Sequence, residues 1–175
     1  MKKIKLIVTL FIFIFGLPVS VYAEKLTCQI TNQTKLTVYK KADSTIISEE
    51  CLNDNPYISS YLLHNKQKIF INKYSLDAGK WMPKLAAVSI YNKTGKSPLL
   101  ITIHTQDWDT PTISGVSYSI DLYEVVYKNG EIKLIDISKI LGENRSGLDG
   151  ESDQKMVFKL KNITSIKKWL NKNYK

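Results

Sequence analysis

Alternation of apolar and polar positions is the dominant pattern in this chain. Between residues 116 and 122, Val116, Tyr118, Ile120 and Leu122 alternate with Ser117, Ser119 and Asp121, the two-residue period of a strand. Tyr123, Val125 and Tyr127 continue on the opposite parity, which implies either a bulge or a strand buried on both faces. Asn129-Gly130 then precedes a new alternation through Ile132 and Leu134. A type I′ turn needs positive φ at both central residues, so the pattern predicts a hairpin with strands over 116–127 and 131–137. Residues 85–91 and 99–104 are apolar and β-branched, and they read as neighbouring strands across the polar loop 92–98.

Upstream, residues 25–30 and 35–39 read as two strands joined by a turn at 31–34, with a third short strand over 44–50. Residues 52–56 are turn-like, since Asn55 is steered out of the helical region by Pro56. Residues 57–74 are ambiguous. Ile58, Tyr61 and Leu62 suit a helical face while 68–72 suit a strand, and the expectation is a short turn followed by a strand. Residues 138–141 predict one helical turn ended by Gly142, 143–153 a loop, and 156–160 a last strand. Asn162 then caps a C-terminal helix with Ile163, Ile166 and Leu170 on one face and Trp169 beside them. The expected fold class is α+β: a single domain, mainly antiparallel β-sheet, with a C-terminal amphipathic helix.

The first 23 residues belong to a different pattern. Lys2, Lys3 and Lys5 precede an apolar run over residues 6–17, Pro18 ends any helix, and Val21-Tyr22-Ala23 offers small residues where a signal peptidase cuts. The run is too short for a membrane span of about 20 residues. Residues 1–23 are therefore expected to be a cleavable signal peptide. The mature chain would open at Glu24 and comprise one extracytoplasmic domain, 24–175, in the periplasm or secreted, with no stable membrane anchor after cleavage. Arg145 is the sole arginine among 25 basic residues, a bias that suggests a bacterial source.

Export changes how charge and cysteine are read. The formal charge falls from +9 to +6 when the three lysines of residues 1–23 are removed with no acid, and a surplus of this size favours acidic partners. The lysines are scattered rather than grouped with aromatics on one stripe, and the compartment is wrong, so no nucleic-acid partner is expected. Cys28 and Cys51 are the only cysteines; an even, minimal pair in an oxidising compartment predicts a disulfide.

Candidate chemistry is sparse. His104, Asp107 and Asp109 flank Trp108 just past a strand, where they could act as base and acid or hold a metal; a polar loop over 106–114 carrying an exposed Trp108 explains them equally well. Asp149, Glu151 and Asp153 lack the ligand series of a calcium loop. His64 lies in a polar stretch and reads as a surface residue. No metal site, no cofactor and no catalytic residue is expected, and the chain reads as a non-enzyme. The expected function is an exported binding or inhibitory protein. Its most concrete form is an immunity protein that occludes a toxin or cell-wall-degrading enzyme, possessing an acidic protein partner and binding through Trp108, Asp107, Asp109 and His104. The alternatives are a small envelope enzyme using His104, Asp107 and Asp109, or a secreted structural or host-interaction factor.

Overall fold

A computed structural model describes residues 27–39, 42–76 and 81–175. The signal-peptide reading, the Glu24 terminus and the start of the first strand at residues 25–26 lie outside the described residues. Two antiparallel sheets account for most of the structure. The first is a four-stranded meander of β1 (Thr27–Tyr39), β2 (Ala42–Leu52), β3 (Tyr57–His64) and β4 (Gln67–Ser75), paired in chain order. The second runs β10–β9–β7–β6–β5, from β5 (Lys84–Tyr91), β6 (Leu99–Asp109), β7 (Ser114–Lys128), β9 (Ser146–Glu151) and β10 (Lys155–Met156), with β8 (Glu131–Asp136) also paired to β7. Helix α1 (Ile163–Asn173) ends the chain.

Several expected boundaries change. The turn foreseen at 31–34 is absent, and one bent strand spans both halves of β1, with a register shift between Ile30 and Asn32 where the ladder absorbs an extra residue. Residues 57–74 are not a turn and a strand but a hairpin, β3–β4, turning at Asn65, whose φ of 53° is positive. The expected loop 143–153 contains strand β9, which pairs with the first half of β7. Of the expected strand 156–160 only Met156 is kept, in β10 (Lys155–Met156); Phe158 and Leu160 are nonetheless buried.

The hairpin at Asn129-Gly130 is as expected, with φ of 54° and 83° and β8 pairing β7 from Lys128↔Glu131 onward. The change of parity at Tyr123 is not a bulge, because β6 and β7 pair without a break from Asp109↔Ser114 to Leu99↔Glu124. Ile120, Asp121, Leu122 and Tyr123 are all buried in succession, so this stretch is covered on both faces.

Two layers cover the second sheet. On one side Leu99, Ile101, Ile103, Ile120 and Leu122 meet Leu141, Phe158, Leu160 and the helix residues Ile166 and Leu170. On the other side Leu85, Leu100, Tyr123, Val125 and Ile132 meet Val38, Ile46, Leu62 and Ile71 of the first sheet. The helix begins as expected. Asn162 accepts from the Ser165 amide at 2.8 Å, and the Ser165 side chain closes a capping box.

The edge of β7 opposite β6 is shared. β8 pairs its C-terminal half and β9 its N-terminal half, and between them the chain leaves the sheet as a 3-10 segment, Ser138–Arg145, kinked at Gly142. Ser138 stands in for the missing strand, its hydroxyl accepting from the Leu122 amide at 3.0 Å. Asp136 accepts from the Ser138 amide at 2.7 Å and from its hydroxyl at 2.5 Å. Burial works to raise the Asp136 carboxyl, but these bonds and nearby Arg145 outweigh it and hold it below the usual carboxylate range.

Cys28 and Cys51 form a disulfide across the β1–β2 ladder, where they are register partners with Cα atoms 4.1 Å apart. It lies on the face of the first sheet turned away from the second. Among the described residues, no helix is long and apolar enough to cross a membrane.

Candidate functional site

The layer between the two sheets is apolar in one half and polar in the other. In the polar half Asp121 of β7, 1 % exposed, accepts from three donors: Asn72 Nδ2 at 2.8 Å, the Tyr74 hydroxyl at 2.7 Å and Arg145 Nη2 at 2.8 Å. The first two come from β4 and the third from the end of the 3-10 segment, so one carboxylate ties three elements together. Burial, followed by the charge of Asp121 and its hydrogen bond, pushes the Tyr74 phenol far above its ordinary range. The bond to Asp121 holds Arg145 above its usual value in turn.

His104 continues this layer. It is 2 % exposed, its Nε2 lies 3.1 Å from Ser60 Oγ, and the Ser60 hydroxyl lies 3.3 Å from that of Ser48. Its ring packs on Tyr74 with centroids 4.5 Å apart. Burial lowers its pKa from 6.5 to about 4, with the charge of Asp121 a smaller opposing effect, so the imidazole is neutral at neutral pH. Its Nδ1 has no hydrogen-bond partner among the described residues. His64, expected at the surface, is also buried, with Nδ1 2.8 Å from Ser44 Oγ.

The stretch expected to be a loop is largely strand. Residues through Asp109 belong to β6, and only residues 110–113 form the turn into β7, closed by the Thr110 amide on the Ile113 carbonyl at 2.9 Å. Strand alternation then separates the candidates. His104, Gln106 and Trp108 look towards the first sheet, whereas Asp107 and Asp109 point to the opposite side. Asp107 is held by Lys84 at 2.7 Å and Asp109 is exposed. His104 therefore has Asp121 for its carboxylate neighbour rather than Asp107 or Asp109. Among the described residues no group of three His, Cys, Asp or Glu side chains converges as a metal site.

Trp108 is half-buried, and its indole N–H donates to Ser117 Oγ at 2.9 Å. Together with His104 it lines a pocket of about 420 Å³ at the mouth of the polar layer, bounded also by Tyr74, Ser75, Gln106 and Ser119. Sequence reasoning missed Asp121, Tyr74 and Ser119. The signal was present in Ser117, Ser119 and Asp121, whose alternation was legible but whose polar face is turned inward.

A second candidate surface is the outer face of the first sheet, where Ile30 and Phe70 are exposed while Ile47, Cys51 and Ser59 are buried. Register places Ile30, Glu49, Ser59 and Lys73 in one row across it, and Gln33, Ile47, Tyr61 and Phe70 in the next. Phe70 is 55 % exposed and meets Tyr61 edge-on, ring centroids 5.8 Å apart. Lys68 Nζ lies 4.1 Å above the Tyr61 ring and Lys73 Nζ 3.7 Å above Tyr57. Lys68 also pairs with Glu49 at 2.6 Å.

No family model, no curated protein and no solved structure matches this chain.

Proposed function

We propose that this is an exported binding protein that acts by occluding an acidic protein partner in the cell envelope, as an immunity or inhibitor protein does. The observation that carries this reading is the set of exposed apolar and aromatic side chains on the outer face of β1–β4. Large apolar and aromatic side chains, Ile30, Tyr57, Tyr61 and Phe70, stand there among Lys35, Lys68 and Lys73, with Glu49 the one acid among the described side chains of that face. Aromatic rings supply contact area at low entropic cost, and lysines stacked on them give the face a positive field. In this reading residues 24–175 act as one domain, with the amphipathic C-terminal helix closing the core on the far side. The face suits a protein interface better than the β6–β7 turn does, because the indole N–H of Trp108 is already satisfied by Ser117 and its ring is partly covered.

Mature protein immobilised through its C-terminus should retain an acidic envelope protein. Retention should weaken as salt rises, since the attraction is screened over about 10 Å at 0.1 M. Phe70→Ala should weaken the complex by about tenfold or more, as expected for an aromatic anchor, and Lys68→Glu with Lys73→Glu should abolish it. A partner held equally well by all of these variants would overturn the proposal.

A further inference from the structure

The pocket beside His104 and Trp108 is distinct from the outer face, since it opens between the sheets. At about 420 Å³ it falls within the range of roughly 300–1,000 Å³ usual for small-molecule sites. From its lining we infer that it is a binding site for a neutral carbohydrate, with a sugar ring laid against Trp108 and its hydroxyls met by His104, Gln106 and Ser119.

The lining supports this class in three ways. First, the charges nearby are committed elsewhere. The Lys73 ammonium sits over Tyr57 on the other face of β4, Lys84 and Asp107 hold each other, and Asp121 lies behind the pocket bound by Asn72, Tyr74 and Arg145. Of the described lining residues only Lys73 carries a formal charge, and its ammonium is turned to the outer face, so neither an anion nor a cation meets an opposite charge inside the pocket. Second, Trp108 lines the pocket with its N–H already taken by Ser117, so what it has left to offer a ligand is the apolar surface of its ring, which suits the C–H face of a pyranose. Third, the remaining groups are hydroxyls, an amide and an imidazole, which can both give and accept hydrogen bonds as sugar hydroxyls do. The imidazole is the decisive one. His104 lines the pocket at 2 % exposure, and its buried Nδ1 has no hydrogen-bond partner among the described residues; a buried polar atom without a partner carries a penalty that a ligand hydroxyl reaching it would remove. A wholly apolar ligand would leave that penalty in place.

The test is calorimetric titration of the mature protein with glucose, maltose, N-acetylglucosamine and its β-1,4-linked dimer, each to about 20 mM, a limit that still detects millimolar affinity. At least one should bind, with little change between low and high salt because no charges meet. Trp108→Ala should weaken binding by about tenfold or more, while Trp108→Phe, which keeps an aromatic face, should retain most of it. Ser119→Leu, which fills the pocket from β7 at the position opposite His104, should abolish binding even if Trp108→Ala fails to fold. Phe70→Ala should leave sugar binding unchanged, which separates this site from the outer face. The inference is overturned if none of the four sugars binds, if Ser119→Leu binds as wild type, or if inorganic phosphate competes for the site.

Discussion

Asp121 and His104 show how much of this fold rests on buried polar side chains. A carboxylate 1 % exposed is tolerable only because Asn72, Tyr74 and Arg145 satisfy it. Asp121→Ala, which strands those donors, should cost about 3 kcal/mol or more in urea unfolding. Arg145→Ala, which leaves the buried Asp121 carboxylate its two neutral donors but no counter-charge, should be comparably destabilising, about 3 kcal/mol. His104 gives a pH signature of its own. Its folded pKa of about 4 lies below the ordinary histidine value of 6.5, so between those values the unfolded chain binds the extra proton. Stability should therefore be full above pH 6.5 and decline as pH falls towards 4, by about 3 kcal/mol at most. The loss of Asp136's favourable bonds belongs to still lower pH, since its folded pKa is depressed. Urea titrations at several pH values check this, and His104→Asn should flatten the slope between pH 4 and 6.5. These residues were the least legible part of the sequence. The rule that polar positions face water gives Ser117, Ser119, Asp121 and His64 to solvent, and only the packing of a second sheet against them reverses it.

At the scale of elements, the well-read segments are those whose turn or cap chemistry is local. Asn129-Gly130 adopts the two positive φ values its type demands, and Gly130→Val should cost more than about 1 kcal/mol, since a β-branched residue resists that backbone region. Asn162→Ala, which removes the acceptor for the Ser165 amide, should cost about 1 kcal/mol in thermal or urea unfolding. The misread elements have equally physical causes. The β3–β4 hairpin turns on Asn65-Lys66, which lacks the glycine that marks such turns. Its inward face, Ile58, Ser60, Leu62 and His64, is half polar because it meets the polar layer, and that disguised the alternation. Strand β9 carries two glycines and an aspartate, a composition that reads as loop. It pairs because Gly150 and Gly115 are register partners whose backbones approach so closely that a Cβ on Gly150 would lie 2.1 Å from the Ser114 carbonyl oxygen. A requirement of that kind depends on the neighbouring strand and leaves no periodicity to read.

At the scale of the whole molecule, mostly antiparallel sheet and a C-terminal helix follow from local patterns, whereas the layering of two sheets over a shared polar half depends on contacts far apart in sequence. The disulfide sits between these cases, being legible from cysteine count and fixed in place by topology. Cys28 and Cys51 close a span of 23 positions on β1 and β2, and β1 is an edge strand of the first sheet whose Val38 is part of the inter-sheet core. Without the bond, β1 would be held by one ladder and its inward side chains alone. Cys28→Ser with Cys51→Ser should lower stability by roughly 3 kcal/mol, the chain-entropy estimate for a loop of this length. The loss should not be uniform. In hydrogen exchange the amides of β1 should open first, while β6 and β7, paired on both sides and buried under two layers, should keep their protection. If the chain is exported, intact-mass measurement of protein recovered from the periplasm should find it beginning at Glu24 and two hydrogens lighter than the dithiol form. Protein retaining residues 1–23, or carrying two alkylatable thiols, would remove the oxidising compartment from the account, and with it the reading of the outer face as a surface presented to an envelope partner.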